Sequence, residues 1–351
     1  MSKMQAKNFS FLLLILLLAC TSGGQYATGA AYDEIDAVAA CCVEPAVEYV
    51  ALPVIQSPRF ILIPESAPPG YPITVAFSYD FETLGGNVRA ELLNAAGGRL
   101  SRAAFFDVPL EGSEFEGSEQ AVMAAIIAVP SLSAFGDVTI RIESANGIVR
   151  ELPFHIENRA FQSETIFLDA RNTDIRIAPN PQRVAQSQHI WAVFNRTGTE
   201  IYSGEAFLRP VVSTRRTSPF GARRIFEYVT GGSDTTVHNG IDYGVPIGTD
   251  VFASARGRVV LSHYRIVTGY SIVIEHLPGV YSVYYHMDTL AVAEGELVEA
   301  GQFIGESGVT GLATGPHLHW EVRVSGEPAD PDAFVARAVL DKNEIFRKLS
   351  E

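Results

Sequence analysis

From about residue 58 onward, short apolar runs recur between turn residues, and this recurrence constrains the fold more than any other feature. Residues 73–79 alternate between the two faces of a strand, as a half-buried strand does. Asn146-Gly147 separates two further runs and is a strong hairpin signal. Repeated short strands over about a hundred residues are typical of a sandwich of two sheets. We therefore predict an immunoglobulin-like β-sandwich over residues 56–157.

Residues 218–340 form a second stretch with frequent glycine and short apolar runs. Five of these runs predict strands, at residues 250–253, 258–264, 271–275, 281–286 and 318–324. The intervening residues 158–217 are predicted to connect the two β domains. They are expected to contain a short helix over residues 181–194, because Pro181 suits a first helical turn. The chain is thus predicted to be mostly β, with the sandwich followed by an antiparallel β-sheet domain.

A last helix is predicted to begin at Asp330-Pro331 and to run to about Leu349. Aspartate is a favoured N-cap, and proline is favoured at the first helical position. Residues 341–351 are then the end of this helix.

The first 19 residues have the pattern of an export signal. A lysine-containing start precedes an apolar run at residues 11–18, which is shorter than the ~20 residues that a membrane span needs. The run ends in a leucine, an alanine and Cys20, which resembles a bacterial lipobox. We therefore predict that residues 1–19 are removed, that Cys20 is lipidated and that residues 20–55 are a tether.

This interpretation places the protein outside the cytoplasm, lipid-anchored to a bacterial cell membrane and facing the periplasm or the cell surface. The alternative is an ordinary secretory signal, in which Cys20 has no special role. Cys41 and Cys42 fall in the predicted tether, and no role is assigned to them.

The net negative charge of the chain argues against one class of partner. The chain has 40 acidic and 26 basic residues, a formal net charge of −14. A nucleic-acid partner is therefore not expected, because phosphate binding needs a positive field. The three cysteines are too few for a disulfide scaffold in a chain of 351 residues.

Six of the eight histidines lie between residues 238 and 319. His238 and Asp242 place an imidazole and a carboxylate four residues apart, and His317 and His319 share a face if they lie on a strand. A catalytic zinc site uses three protein ligands and leaves one position for a water, which becomes a nucleophile. His238, Asp242 and one of the paired histidines supply that number of ligands. The other paired histidine and His286 are then available to move a proton and to stabilise an oxyanion.

Five segments occur in one order and together resemble the lysostaphin-type, LytM-like M23 family of zinc metallopeptidases: residues 220–223, 238–242, 284–286, 295–305 and 314–321. The resemblance implies that His238, Asp242 and His319 bind one Zn²⁺ per chain. It implies that His286 and His317 are the catalytic histidines, and it leaves open which of them acts as the base. The implied function is that of a zinc-dependent endopeptidase, which hydrolyses peptide cross-links of bacterial peptidoglycan through a zinc-activated water.

Three further residues are candidates for binding the substrate. Arg223 suits a carboxylate of an acidic peptidoglycan stem peptide, with a surface ion pair as the alternative. Gly311 and Thr314 belong to a glycine-containing loop that leads into His317, where a substrate backbone can approach closely. A plain turn is the alternative for such glycines.

Two other classes of function were weighed. The first is a non-catalytic LytM-like activator or wall-binding protein, which regulates another cell-wall hydrolase. Such proteins usually lose metal ligands, and this chain lacks none of them. Residues 295–305 also resemble a biotinyl or lipoyl carrier hairpin, but the chain has no lysine between Lys7 and Lys342 to carry the group. A further hypothesis is latency, in which residues 158–217 fold over the groove and place an unidentified side chain on the open zinc position.

Overall fold

The computed structural model describes residues 59–80, 87–113, 115–118, 120–145, 147, 149–196 and 198–351. The predicted signal, the lipidation site Cys20 and the tether lie outside the described residues. Within the described part of the chain, no helix is long and apolar enough to cross a membrane.

The N-terminal half of the described chain consists of short strands, as the sequence predicts. They are β1 (Arg59–Ile63), β2 (Ser66–Ala67), β3 (Pro72–Asp80), β4 (Arg89–Leu93), β5 (Arg99–Ala104), β6 (Phe106–Asp107), β7 (Gln120–Ala128), β8 (Gly136–Glu143) and β9 (Val149–Ile156). One sheet has the order β1-β3-β7-β6 and the other β2-β9-β8-β4-β5.

The two sheets pack face to face around an apolar core. Phe77 and Ile127 of one sheet and Leu92 and Ile140 of the other are buried in the same cluster. The predicted hairpin at residue 147 is confirmed, because β8 and β9 pair antiparallel on either side of it. The immunoglobulin-like relationship stays a prediction.

A strand and two helices follow: β10 (Ser163–Leu168), α1 (Ala170–Ile177) and α2 (Pro181–Phe194). The predicted helix over residues 181–194 is confirmed, and Asn180 caps it by accepting a hydrogen bond from Arg183 N at 3.0 Å. Ile190 and Phe194 on α2 pack against the sheet of the second half. The sequence did not predict β10 or α1.

The second half is built on a large sheet. Its elements are β11 (Arg216–Ser218), β12 (Arg223–Tyr228), β13 (Ser233–Val237), β14 (Gly240–Tyr243), β15 (Asp250–Phe252), β16 (Gly257–Arg265), β17 (Gly269–Leu277), β18 (Val280–Leu290), β19 (Leu297–Val298), β20 (Phe303–Ser307), β21 (Leu318–Val324), β22 (Glu327–Ala329), α3 (Pro331–Ala336) and α4 (Lys342–Ser350). Ten strands form one sheet with the central order β11-β14-β21-β18-β17-β16-β19, and β10, β12 and β13 form a smaller one. The prediction of a mostly β chain is confirmed.

The prediction of one continuous last helix is wrong. Helix α3 ends at Ala336, Arg337 is extended, and a new N-cap at Asp341 begins α4 by accepting a hydrogen bond from Glu344 N at 3.0 Å. The connector is buried at Val339, whose carbonyl accepts a hydrogen bond from Thr74 of the sandwich at 2.5 Å. Tertiary packing of this connector therefore outweighs the local helical preference.

Candidate metal centre

The adjacent strands β14 and β21 carry the predicted ligands Asp242 and His319, and His238 lies two residues before β14. Strands β14 and β21 pair so that Asp242 lies opposite His319, and β18 pairs so that Tyr285 lies opposite His319 on the other side. Gly240 permits the close approach of β14, since a Cβ added there would lie 2.2 Å from the Trp320 carbonyl oxygen.

His238, Asp242 and His319 converge on one point. His238 Nε2 lies 3.1 Å from Asp242 Oδ1, His319 Nδ1 lies 2.7 Å from the same oxygen, and the two nitrogens are 3.0 Å apart. A tetrahedral zinc site with bonds of 2.0–2.1 Å has ligand atoms about 3.3 Å apart, close to this spacing. Among the described residues, this is the only group whose ligand atoms are close enough to hold a metal, and all three residues are buried.

The hydrogen bonds of the two histidines suit metal binding. His238 Nδ1 lies 2.8 Å from the Pro219 carbonyl oxygen, and His319 Nε2 lies 2.8 Å from Glu321 Oε1. Each ring therefore has an acceptor for an N–H on its far nitrogen, which allows the nitrogen beside Asp242 to offer its lone pair to a metal. Two imidazole nitrogens and a carboxylate oxygen at this spacing fit Zn²⁺, which would displace the proton held between them.

The electrostatics of the metal-free centre follow from its burial. Burial opposes protonation of His319, but hydrogen bonds to Asp242 and Glu321 raise its pKa to about 9. Burial lowers the pKa of His238. Burial also favours the neutral form of Asp242, but His238 and His319 hold its pKa well below its usual range. The carboxylate is therefore ionised, and the proton of the centre resides on His319.

Asp242 is also held from its second oxygen. Arg224 Nη2 donates to Asp242 Oδ2 at 2.5 Å, and Arg224 Nε donates to Glu164 Oε1 at 2.5 Å. Ser218 Oγ donates to the same Glu164 oxygen at 2.7 Å and lies 3.1 Å from His238 Nδ1. A strand of the connecting segment, β10, thus contributes a carboxylate to the surroundings of two ligands.

His319 is supported by a buried chain of charges. Glu321 accepts from His319 through Oε1 and from Arg323 Nε through Oε2 at 2.7 Å. The Tyr285 ring stacks on the His319 ring, with centroids 5.6 Å apart. These contacts fix the orientation of the imidazole and its tautomer.

His286 and His317 lie beside this centre. Their ring centroids are 4.7 Å apart, and His317 Nε2 lies 3.8 Å from Asp242 Oδ1. His286 Nδ1 is 2.8 Å from the Thr310 carbonyl oxygen, and His317 Nδ1 is 2.8 Å from that of Gly315. If each Nδ1 donates, each Nε2 is free to accept a proton.

The backbone and burial of these two histidines are unusual. His286 has a φ of +61°, which is costly for a residue with a side chain and is concentrated at functional sites. Burial, with the neighbouring imidazoles of His317 and His319, lowers the pKa of His286 to about 3. Burial also lowers the pKa of His317. Both rings are therefore neutral at pH 7.

The predicted substrate-binding residues lie in different settings. Arg223 donates to the carbonyl oxygens of Gly221 at 2.9 Å and Ser131 at 2.7 Å, so its guanidinium is already engaged. The Gly311 carbonyl oxygen accepts from Arg171 on α1 at 3.0 Å, and Thr314 is exposed. Their roles with a substrate stay predictions.

Sequence reasoning missed Arg224, Glu164 and Glu321 as supports of the centre. Glu321 had a signal, because it shares a strand face with His319 by alternation. Arg224 and Glu164 had none, because their contact depends on β10 and β12 lying side by side.

Comparisons with known proteins agree with this geometry. Residues 236–331 match the model of Peptidase family M23. DD-carboxypeptidase/endopeptidase Mpg of Neisseria meningitidis is 41% identical over 124 residues, which are 35% of this chain and 28% of the relative. Peptidoglycan DD-endopeptidase ShyB of Vibrio cholerae is 42% identical over 119 residues, which are 32% of this chain and 28% of the relative. The matched region thus spans less than a third of these curated relatives.

A solved structure resembles a larger part of the chain. The crystal structure of a peptidase M23 from Pseudomonas aeruginosa aligns with a TM-score of 0.51 and 23% identity, over 78% of this chain and 96% of that one. At that identity the likeness concerns the fold, and it extends beyond the residues that the family model matches.

Proposed function

We propose that this chain, whose residues 236–331 match the model of Peptidase family M23, is a zinc-dependent endopeptidase acting on peptide cross-links of bacterial peptidoglycan. The relatives named as peptidoglycan DD-endopeptidases support this substrate class. The observation that carries the proposal is the convergence of His238, Asp242 and His319, with two further histidines beside them.

The residues have separable tasks in this proposal. His238 Nε2, His319 Nδ1 and Asp242 Oδ1 would hold the zinc. When bound, zinc supplies a Lewis acid that acidifies water and polarises the scissile carbonyl. One of His286 and His317 accepts a proton from the attacking water and then passes it to the leaving amine, and the other is the candidate to stabilise the developing oxyanion.

The proposal extends to location. The export pattern of residues 1–19 and the lipobox-like Cys20 support a protein that is anchored to a bacterial membrane by one lipidated terminus. Replacement of Cys20 by serine is expected to release the protein from membranes in cell fractionation. A variant that stays in the membrane fraction would contradict the anchor.

The experiment that tests the function combines two measurements on one sample of residues 21–351. Metal analysis is expected to find about one zinc per chain. Digestion of purified peptidoglycan is expected to release new free amines. Matched digestion with the His238→Ala variant should show neither zinc nor new amines.

The other outcomes distinguish the alternatives. Zinc without cleavage would favour latency. Activity should then appear in variants in which residues 158–217 no longer cover the groove. A chain with neither zinc nor cleavage would overturn the proposal and favour the non-catalytic activator.

A further inference from the structure

A cavity of about 800 Å³ lies between α2 and one face of the large sheet, next to the metal centre. Asn239, which follows the ligand His238, and Glu321, which bonds to the ligand His319, both line it. Trp191 and Ile190 of α2 supply apolar lining. The volume is in the range of small-molecule and peptide subsites.

Arg265 is the unusual residue of this cavity. Its side chain is buried, with 8% of the residue exposed. Nη1 donates to Thr268 Oγ1 at 3.1 Å, and Nη2 donates to the Gln186 carbonyl oxygen at 3.4 Å. Nε is buried without a hydrogen-bond partner, and no carboxylate of the described chain forms an ion pair with Arg265. A buried guanidinium without a counter-charge is costly, so its retention indicates a ligand.

The other charged residues of the cavity have partners. Arg183 donates to the carbonyl oxygens of Ile175 and Arg176 at the end of α1. Arg323 is paired with Glu321, whose other oxygen bonds to a metal ligand. Three arginines and one glutamate give the lining a formal charge of +2, in a chain whose net charge is −14.

The position of Arg265 relates the cavity to the metal centre. Its guanidinium carbon lies 5.8 Å from the centroid of Tyr285, and that ring stacks on His319 with centroids 5.6 Å apart. One aromatic ring thus separates the guanidinium from a metal ligand. The two distances together set an upper limit for the separation, which an extended peptide covers with at most about three residues at ~3.4 Å each.

We propose that this cavity is a subsite for a carboxylate of the peptide substrate, bound by the guanidinium of Arg265. The proposal rests on the function proposed above and names the part of the substrate that the cavity recognises. The carboxylate belongs to a residue within about three positions of the scissile bond, and the apolar wall formed by Trp191 and Ile190 packs against the aliphatic part of that residue. Arginine suits a carboxylate because its donors match the geometry of the two oxygens.

The test compares two synthetic cross-linked stem peptides, one with free side-chain and terminal carboxylates and one with these groups as amides. We expect the wild type to hydrolyse the acid with a kcat/KM about ten- to a hundredfold higher, the range of a hydrogen bond to a charged group. Arg265→Gln should abolish this preference, so that the acid and the amide are hydrolysed with similar kcat/KM. Arg265→Lys should keep part of this preference, since the charge stays and the planar set of guanidinium donors is lost.

The ratio between the substrates separates recognition from folding. If an Arg265 variant only folds poorly, it loses activity on both substrates by the same factor and keeps the wild-type preference. Such a result would overturn the proposal, because the preference would not depend on Arg265. So would a wild type without preference. Arg256→Gln is the control, because Arg256 is exposed, pairs with Glu299 and does not line the cavity.

A binding measurement separates this inference from the proposed function. Calorimetry with the full chain uses an uncleaved linear stem peptide as the acid and as the amide. Tighter binding of the acid that Arg265→Gln abolishes supports the subsite even if no hydrolysis is found. Equal binding of acid and amide by the wild type would overturn it, whatever the activity.

Discussion

Arg224 donates to Asp242 Oδ2 at 2.5 Å, on the side of the carboxylate opposite the oxygen that faces the two histidines. Its Nε donates to Glu164, so one guanidinium joins the connecting segment to a predicted metal ligand. The bond orients the carboxylate so that Oδ1 alone faces the histidines. Arg224 is therefore a positioning residue for the metal centre.

Replacing Arg224 by glutamine should weaken zinc binding by about ten- to a hundredfold, as loss of an outer partner of a ligand does. Competition with a chelator of known affinity measures this. Arg223→Gln is the matched control, because Arg223 donates to backbone carbonyls away from Asp242. Equal zinc affinity in the wild type and the Arg224 variant would contradict the role of Arg224 in positioning Asp242.

Replacing His286 or His317 by alanine should lower turnover by about 10²- to 10⁴-fold, the usual share of a general acid or base, and leave zinc content unchanged. The measurement is kcat on a cross-linked peptide together with metal analysis of the same preparation. Full turnover in either variant would contradict the catalytic role assigned to that histidine.

Zinc uptake by the metal-free protein at pH 7.5 should release about one proton, because the pKa of His319 is raised to about 9 and a ligand must be deprotonated. Calorimetry in two buffers of different ionisation enthalpy counts the protons. Release should decline as the pH rises through 9. Heats that do not depend on the buffer would show that His319 is already neutral.

His276 should make the fold sensitive to acid. It is fully buried, and Nδ1 and Nε2 lie 2.9 Å from the Arg256 carbonyl oxygen and 2.7 Å from Ser282 Oγ. Burial lowers its pKa from 6.5 to about 4. Because the unfolded chain then binds the proton more readily, the stability that neutral His276 contributes is present above pH 6.5 and is lost as the pH falls through 4.

The expected loss is about 3 kcal/mol between pH 7 and pH 4. Urea unfolding of the wild type and of His276→Gln at several pH values isolates the contribution of His276. Other titrating groups contribute to the free energy of unfolding of both proteins, so they cancel in the difference. The difference in the free energy of unfolding between the wild type and the variant should decrease as the pH falls. Parallel curves would contradict the prediction.

The latency hypothesis has a specific contact to test. On α1, Arg171 Nη1 donates to the Gly311 carbonyl oxygen at 3.0 Å and Asn172 Nδ2 donates to that of Ala313 at 3.2 Å. If the connecting segment restrains this loop, the Arg171→Ala, Asn172→Ala double variant should digest isolated walls faster than the wild type. Asp174→Ala on the same helix is the control.

Equal rates for the double variant and the wild type would reject restraint through these two bonds. Removal of residues 20–210 is a broader test of latency, but it also deletes Glu164, which bonds to Arg224. A loss of activity after that deletion would therefore not argue against latency, and the point variants give the sharper result.

Local patterns in the sequence predicted much of the fold. Alternation predicted the strand over residues 318–324, which is β21, and helix α2 lies where the proline and apolar spacing place it. Such signals succeed because side-chain direction repeats with period two in a strand and 3.6 in a helix. The break between α3 and α4 was not predictable, because it depends on the burial of Val339.

The sequence by itself determined which groups could bind a metal, since the spacings of His238 and Asp242 and of His317 and His319 are local. Only the tertiary structure decided how those groups are held and what surrounds them. Arg224 reaches Glu164 because β12 lies beside β10, and Arg265 is enclosed because α2 covers that face of the sheet. These contacts join residues 60 and 79 positions apart. No local periodicity encodes such pairs, because they form only when separate elements pack together.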